Sequence, residues 1–174
     1  MAETITPTGR ERRFQDSEIL VSKTDTRGRI TYCNKQFRDI AGYSNKELIS
    51  QPHSLVRHPE MPRTVFKILW GAIEAKREVF AYVKNLCSNG DHYWVFAHVT
   101  PTYNGQGEVI GYHSSRRSPN FTAIETIIDP LYRQLCSTEN QHTNRKQGLE
   151  AGYAQLNDLL KEKAVTYDQF VLSF

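Results

Sequence analysis

The 174-residue sequence predicts an α+β domain built on a single antiparallel sheet of five strands. Three observations carry that reading. Two strand-like segments come early, three come late, and helix-patterned segments lie between the two groups. Turn chemistry joins neighbouring strand segments, at Asp25-Thr26-Arg27-Gly28, Asn89-Gly90 and Asn104-Gly105-Gln106-Gly107. Between the groups, Val65, Phe66, Leu69, Trp70 and Ile73 recur at helical spacing.

The elements follow in order. Residues 1–16 are polar and charged, with Ile5 and Phe14 as the bulky apolar groups, and read as an arm that caps the domain. Ile19-Leu20-Val21 and Ile30-Thr31-Tyr32 form the first hairpin. Asn34 suits the N-cap of a short helix carrying Phe37, Ile40 and Ala41 and closed by Gly42. Ser44 with Glu47 is a capping-box pattern for a second short helix. Pro62 then opens the longer helix, whose stripe is expected to be buried, Trp70 included. Val79 to Leu86, His92 to Thr102 and Val109 to Arg116 supply the late strands. The central domain is thus 17–118, followed by a helical extension over 119–174. There Ile124, Ile127, Ile128, Leu131 and Leu135 form one stripe, with Asp129-Pro130 marking a kink or restart. Leu149, Tyr153, Leu156 and Leu160 form another, and the apolar tail from Val165 should dock.

Composition narrows the function classes. The formal charge of +3, without a basic cluster interleaved with aromatics, argues against nucleic acid. No apolar run approaches the ~20 residues that cross a bilayer, and no apolar leader opens the chain. Three cysteines without metal-ligand spacing fit a reducing cytoplasm. The sequence also points away from an enzyme: it has no Gly-x-Gly-x-x-Gly after a strand, no phosphate-loop lysine motif and no paired carboxylates at a cleft.

The late strands suggest two unlike faces. By the period of two, Ala81, Val83 and Asn85 share a face in the first, Val95 and Ala97 in the second, Gly111, His113 and Ser115 in the third. This small-residue face is expected to border a cavity. The opposite face, with Phe80, Tyr82, Trp94, Phe96 and Tyr112, is expected to receive a helix or partner. The assignment depends on register: a symmetric turn at Asn89-Gly90 pairs Asn85 with Trp94, and one extra residue aligns it with Val95.

The connector Gln51-Pro52-His53-Ser54-Leu55-Val56-Arg57-His58-Pro59-Glu60-Met61-Pro62 concentrates two histidines, an arginine and a carboxylate among three prolines. Prolines restrict its backbone to a bent path with at most a helical turn. Cationic donors on such a connector suit an anionic ligand at a cavity mouth.

Together with Ile30-Thr31-Tyr32-Cys33-Asn34-Lys35-Gln36-Phe37, Gly42-Tyr43-Ser44 and Asn89-Gly90-Asp91-His92-Tyr93-Trp94-Val95, this connector resembles the PAS sensor domain of bacterial aerotaxis (energy-taxis) receptors. The resemblance covers about residues 18–135 and implies a PAS fold with FAD in its cavity, flavin redox state being the signal. Those receptors continue into a membrane anchor and a coiled coil. This sequence shows neither and is more similar to the stand-alone PAS proteins of bipartite energy-taxis systems. The expected partner is then a separate, membrane-bound, chemotaxis receptor-like signalling subunit, met at the inner face of the membrane. A homodimer is the other destination for the C-terminal stripes.

The resemblance also implies cofactor positions. Arg57 and His58 would meet the FAD pyrophosphate or a reduced flavin. Glu60 stands where the family usually has Asp, and His53, Asn34 and Trp70 are further candidates. Asn85, His113 and Ser115 would line the ring, with Ser115 first to answer a change in proton at flavin N5. Blue-light PAS domains differ: this connector has no cysteine for a photoadduct, and Ser115 stands where a signalling glutamine would be. Two other readings remain open at this point, a haem sensor using one of His53, His58, His92, His98 and His113, and a cofactor-free interaction module.

Overall fold

The computed structural model describes residues 5–174. Its strands are β1 (Leu20–Thr24), β2 (Ile30–Cys33), β3 (Val79–Leu86), β4 (His92–Tyr103) and β5 (Val109–Arg117). They form one antiparallel sheet in the order β2-β1-β5-β4-β3. The first strand therefore pairs with the last. The chain between β2 and β3 crosses one face of the sheet as α1 (Lys35–Ala41), α2 (Asn45–Leu48), a 3-10 turn (His53–Val56) and α3 (Arg63–Glu74). Asn34 accepts the Phe37 N–H at 3.1 Å to start α1, and Gly42, at φ +74°, ends it. Ser44 and Glu47 complete a capping box on α2.

Two loops decide which side chains face those helices. Between β3 and β4 the loop holds three residues, Ser88, Asn89 and Gly90, closed by Cys87 N–H to Asp91 C=O at 2.7 Å. Asn85 therefore lies opposite Tyr93, not Trp94 or Val95, yet on the same face as Val83, Val95 and Ala97. Between β4 and β5, the turn bond from Asn104 N–H to Glu108 C=O would continue into pairing of Val99 with His113. A bulge intervenes: Tyr103 pairs with Val109 but Thr102 with Gly111, which leaves Ile110 unpaired and 53% exposed. Beyond it Val99 faces Ser114 and Ala97 faces Arg116. The third strand is thus turned over relative to the sequence expectation, and Gly111, His113 and Ser115 face away from the helices.

The extension is helical, as α4 (Phe121–Ala123), a wide π-turn (Ile124–Ile128), α5 (Asp129–Asn140), α6 (Arg145–Glu162) and α7 (Tyr167–Leu172). The first three run on without a break, and the wide turn lies just ahead of Pro130, whose ring would clash with the Thr126 carbonyl in a regular α-helix. α5 covers the aromatic face of the sheet. The Tyr132 hydroxyl donates to the Tyr82 carbonyl at 2.7 Å, and its ring lies 6.0 Å from that of Trp94. The tail docks as expected, with Phe170 and Val171 of α7 buried.

One buried carboxylate ties the extension to α3. Glu139 accepts the backbone N–H of Arg63 and of Thr64 (3.1 and 2.8 Å), the Arg63 Nε–H (2.9 Å) and the Thr64 hydroxyl (2.8 Å). It caps α3 from another helix. Gly148 and Gly152, one turn apart on α6, let that helix pass against Glu139 and Thr64. The N-terminal segment runs beside the start of β4. Arg12 N–H donates to the His92 carbonyl and His92 N–H to that of Arg10, while Asp91 takes the Thr8 hydroxyl and Arg10 Nε–H. Met1–Thr4 lie outside the described residues.

Candidate functional site

A cavity of about 210 Å3 lies between the inner face of the sheet and α3 with the connector. Val83, Ala97, Val99, Leu69 and Ile73 give it apolar walls. They come from strand positions of small volume facing a helix stripe, so two layers meet without filling the space. Its inner end is polar. Asn85, Ser114 and Arg116 line it there, each under a tenth exposed.

Arg116 dominates this end. It is 4% exposed, and no carboxylate pairs with it among the described residues. Its Nη2 donates to Ser22 Oγ at 2.9 Å and to His53 Nε2 at 2.6 Å, and its guanidinium carbon lies 5.1 Å over the Phe37 ring. Burial pulls its pKa down to about 10, so the group stays cationic at neutral pH. His53 accepts at Nε2 and is therefore neutral, with its proton on Nδ1. Burial first, then the Arg116 charge, lowers its pKa to about 3.

Four buried polar atoms on this face have no hydrogen-bond partner among the described residues: Asn85 Nδ2, Tyr93 OH, Ser114 Oγ and Arg116 Nη1. A buried unsatisfied donor costs roughly 1–3 kcal/mol, more when charged, so four on one face mark a place shaped for something else. All four can donate. The three that line the cavity, on Asn85, Ser114 and Arg116, suit the carbonyl-and-nitrogen edge of a flat, electron-rich ring whose body meets the apolar walls. The residues present thus fit an isoalloxazine, with Asn85, Ser114 and Arg116 facing its polar edge.

The sequence-derived candidates divide. His53, Arg57, Trp70 and Asn85 line the cavity. Arg57 lies with its guanidinium carbon 3.9 Å over the Phe66 ring and its Nη2 3.3 Å from the Met61 carbonyl. Trp70 is not in the helix core; it is 36% exposed at the rim, edge-on to Tyr112 and closing over Gly28. The other five lie elsewhere. Asn34 is consumed structurally: its Oδ1 accepts from Phe37 and Val21 N–H, and its Nδ2 donates to the Ile19 carbonyl. His58 is buried away from the cavity, edge-on to His92, with Nδ1 accepting the Glu60 N–H. Burial, then the Lys84 charge, lowers its pKa to about 4. Glu60 pairs with Lys84 on the outer face. His113 and Ser115 sit on that face too, opposite Lys23 and Val21, because of the bulge at Ile110. Their places at the cavity are taken by Ser114 and Arg116, which sequence reasoning passed over. Gly111 beside Ile110, where the Thr24 carbonyl leaves no room for a Cβ, was the available sign of an irregular strand.

The sequence profile of the PAS fold matches residues 10–114, more than half of the chain. The chain belongs to the PAS family. Among curated proteins, this PAS chain is 38% identical over 120 residues to the aerotaxis receptor of Escherichia coli K12, covering 69% of the chain and 23% of the receptor. It is 29% identical over 103 residues to the nitrogen fixation regulatory protein of Klebsiella pneumoniae, covering 59% and 21%. The chain therefore spans less than a quarter of either relative. Among solved structures, the dark state of the blue-light photoreceptor Aureochrome1 LOV superposes with a TM-score of 0.56 at 20% identity, covering 64% of this chain and 83% of that one. That likeness is one of fold.

Proposed function

We propose that this PAS domain is a flavin-based redox sensor for aerotaxis or energy taxis, binding FAD and reporting its redox state to a chemotaxis receptor-like partner. The observation that carries the proposal is the uncompensated Arg116, buried at the inner end of the cavity beside two other unpartnered donors, on Asn85 and Ser114. A bound flavin would supply electron acceptance and, when reduced, added negative charge beside that guanidinium. The chain's own part is to orient the ring through Asn85 and Ser114 and to hold a fixed positive charge at its edge. It also keeps His53 neutral and excludes water with Leu69, Ile73 and Val99.

Two further features support this reading. His53 is the histidine among the lining residues, and its Nε2 is already engaged by Arg116 and Ser22, which disfavours haem ligation. No cysteine is among the lining residues, which favours redox chemistry over a photoadduct. The output path proposed here runs through α3, which lines the cavity on one side and is capped by Glu139 on the other. No helix among the described residues is long and apolar enough to cross a membrane.

The test is an absorption spectrum of the purified protein before and after dithionite, with mass spectrometry of the heat-released ligand. Flavin bands that bleach on reduction, with FAD released, are expected. A Soret band, or a protein that neither carries nor takes up flavin, would refute the proposal.

A further inference from the structure

The cavity has two unlike ends, and the connector cations expected to meet a diphosphate are not at the open one. His58 is outside the cavity, and Arg57 is half-buried against Phe66, its backbone bridged to that of Asn85. The open end is framed by exposed residues: Arg27, Pro52, Ser54 and Trp70.

Arg27 is the cation on that rim, and its surroundings keep it available. The acidic neighbour that could neutralise it, Asp25, spends Oδ1 on the backbone N–H groups of Arg27 and Arg29, both at 2.9 Å. The Arg27 guanidinium has no hydrogen bond or ion pair to any described residue. The turn that carries it is fixed to the cavity wall on two sides. The Gly28 carbonyl accepts the His53 N–H at 2.9 Å, and Gly28 itself, at φ +76°, lies beneath Trp70, whose ring stands 3.2 Å from where a Cβ would be. A side chain at 28 would therefore push the rim open.

We infer that Arg27 is the phosphate-binding residue of this site, so that the cavity selects phosphorylated flavins over riboflavin. The inference rests on the flavin reading above. A ring whose polar edge meets Asn85 and Arg116 must send its chain out through the rim, where a guanidinium fork matches a phosphate.

The full-length protein, stripped of ligand, is titrated with FAD, FMN and riboflavin by fluorescence quenching, alongside Arg27→Gln. The substitution is expected to weaken FAD and FMN about tenfold or more, while riboflavin changes less than about twofold, since only the phosphorylated ligands lose a charged hydrogen bond. Added salt should weaken FAD binding by the native protein and leave the variant's nearly constant. Equal affinities of the two proteins for FAD and FMN, or a matching loss for riboflavin, would overturn the assignment while the flavin reading stood. A native protein that binds none of the three would instead sink both, and retained riboflavin binding by the variant certifies its fold.

Discussion

Arg116 has one ordered acceptor in Ser22, one in His53, and a bare Nη1. A buried cation without a carboxylate is a liability to the empty protein, because desolvation is not offset by a counter-charge. Arg116→Met should therefore stabilise the ligand-free chain, by about 1–3 kcal/mol, while weakening flavin binding at least tenfold. Urea unfolding of both stripped proteins checks the first part; unchanged or lowered stability would show that the arginine is satisfied at home. The histidines give a second expectation. His53 and His58 titrate near 3 and 4 when folded, below the ordinary 6.5. The unfolded chain thus binds more protons, so stability is full above about pH 6.5 and is lost as pH falls toward 4, by up to ~1.4 kcal/mol per pH unit for each histidine. Unfolding free energies measured from pH 7 to 4.5 should decline, and a flat profile would refute the buried neutral state. Legibility at this scale was uneven. Asn85 could be read, since a polar residue among small apolar neighbours on one strand face demands an explanation. Arg116 could not: it precedes Arg117 and looks like a surface cation until the extra residue at Ile110 turns the strand over.

The strand and helix order was legible because hydrophobic period and turn residues state it locally, and the strands lie where those patterns put them. The contacts of the extension were not, because an apolar stripe demands burial without naming its surface. Nothing in Ser137-Thr138-Glu139-Asn140 announces that Glu139 caps a helix 75 residues earlier in the chain. Its four hydrogen bonds are nonetheless what fixes α5 to α3. Glu139→Ala should cost about 2–4 kcal/mol, since it strands two helix-start N–H groups and the Arg63 guanidinium. Gly152→Ala tests the same joint sterically, because its Cβ would stand 2.5 Å from Thr64 Oγ1. Both variants should lower the denaturation midpoint, and the double variant should lose less than the sum, as neighbours sharing one joint do. Full additivity would mean that the two positions act separately.

Across the molecule, one uninterrupted series of contacts leads from cavity to extension. Leu69, Trp70 and Ile73 of α3 line the cavity, Glu139 holds the start of the same helix, and α5 continues to Tyr132 over the aromatic face. If flavin reduction shifts α3, amide exchange in α5 and α6 should change between oxidised and photoreduced protein, by an amount set by a coupling of ~1–3 kcal/mol. Identical exchange in the two states would rule out this route. The wide turn at Ile124–Ile128 gives such a shift somewhere to go. It stores one residue of slack in an otherwise continuous rod. Were it drawn tight into regular α-helix, against the clash of the Pro130 ring with the Thr126 carbonyl, everything beyond Pro130 would swivel by about 100° and slide by about 1.5 Å, lifting Tyr132 off its seat. A rod that can turn only by a whole residue answers in a step and not by degrees.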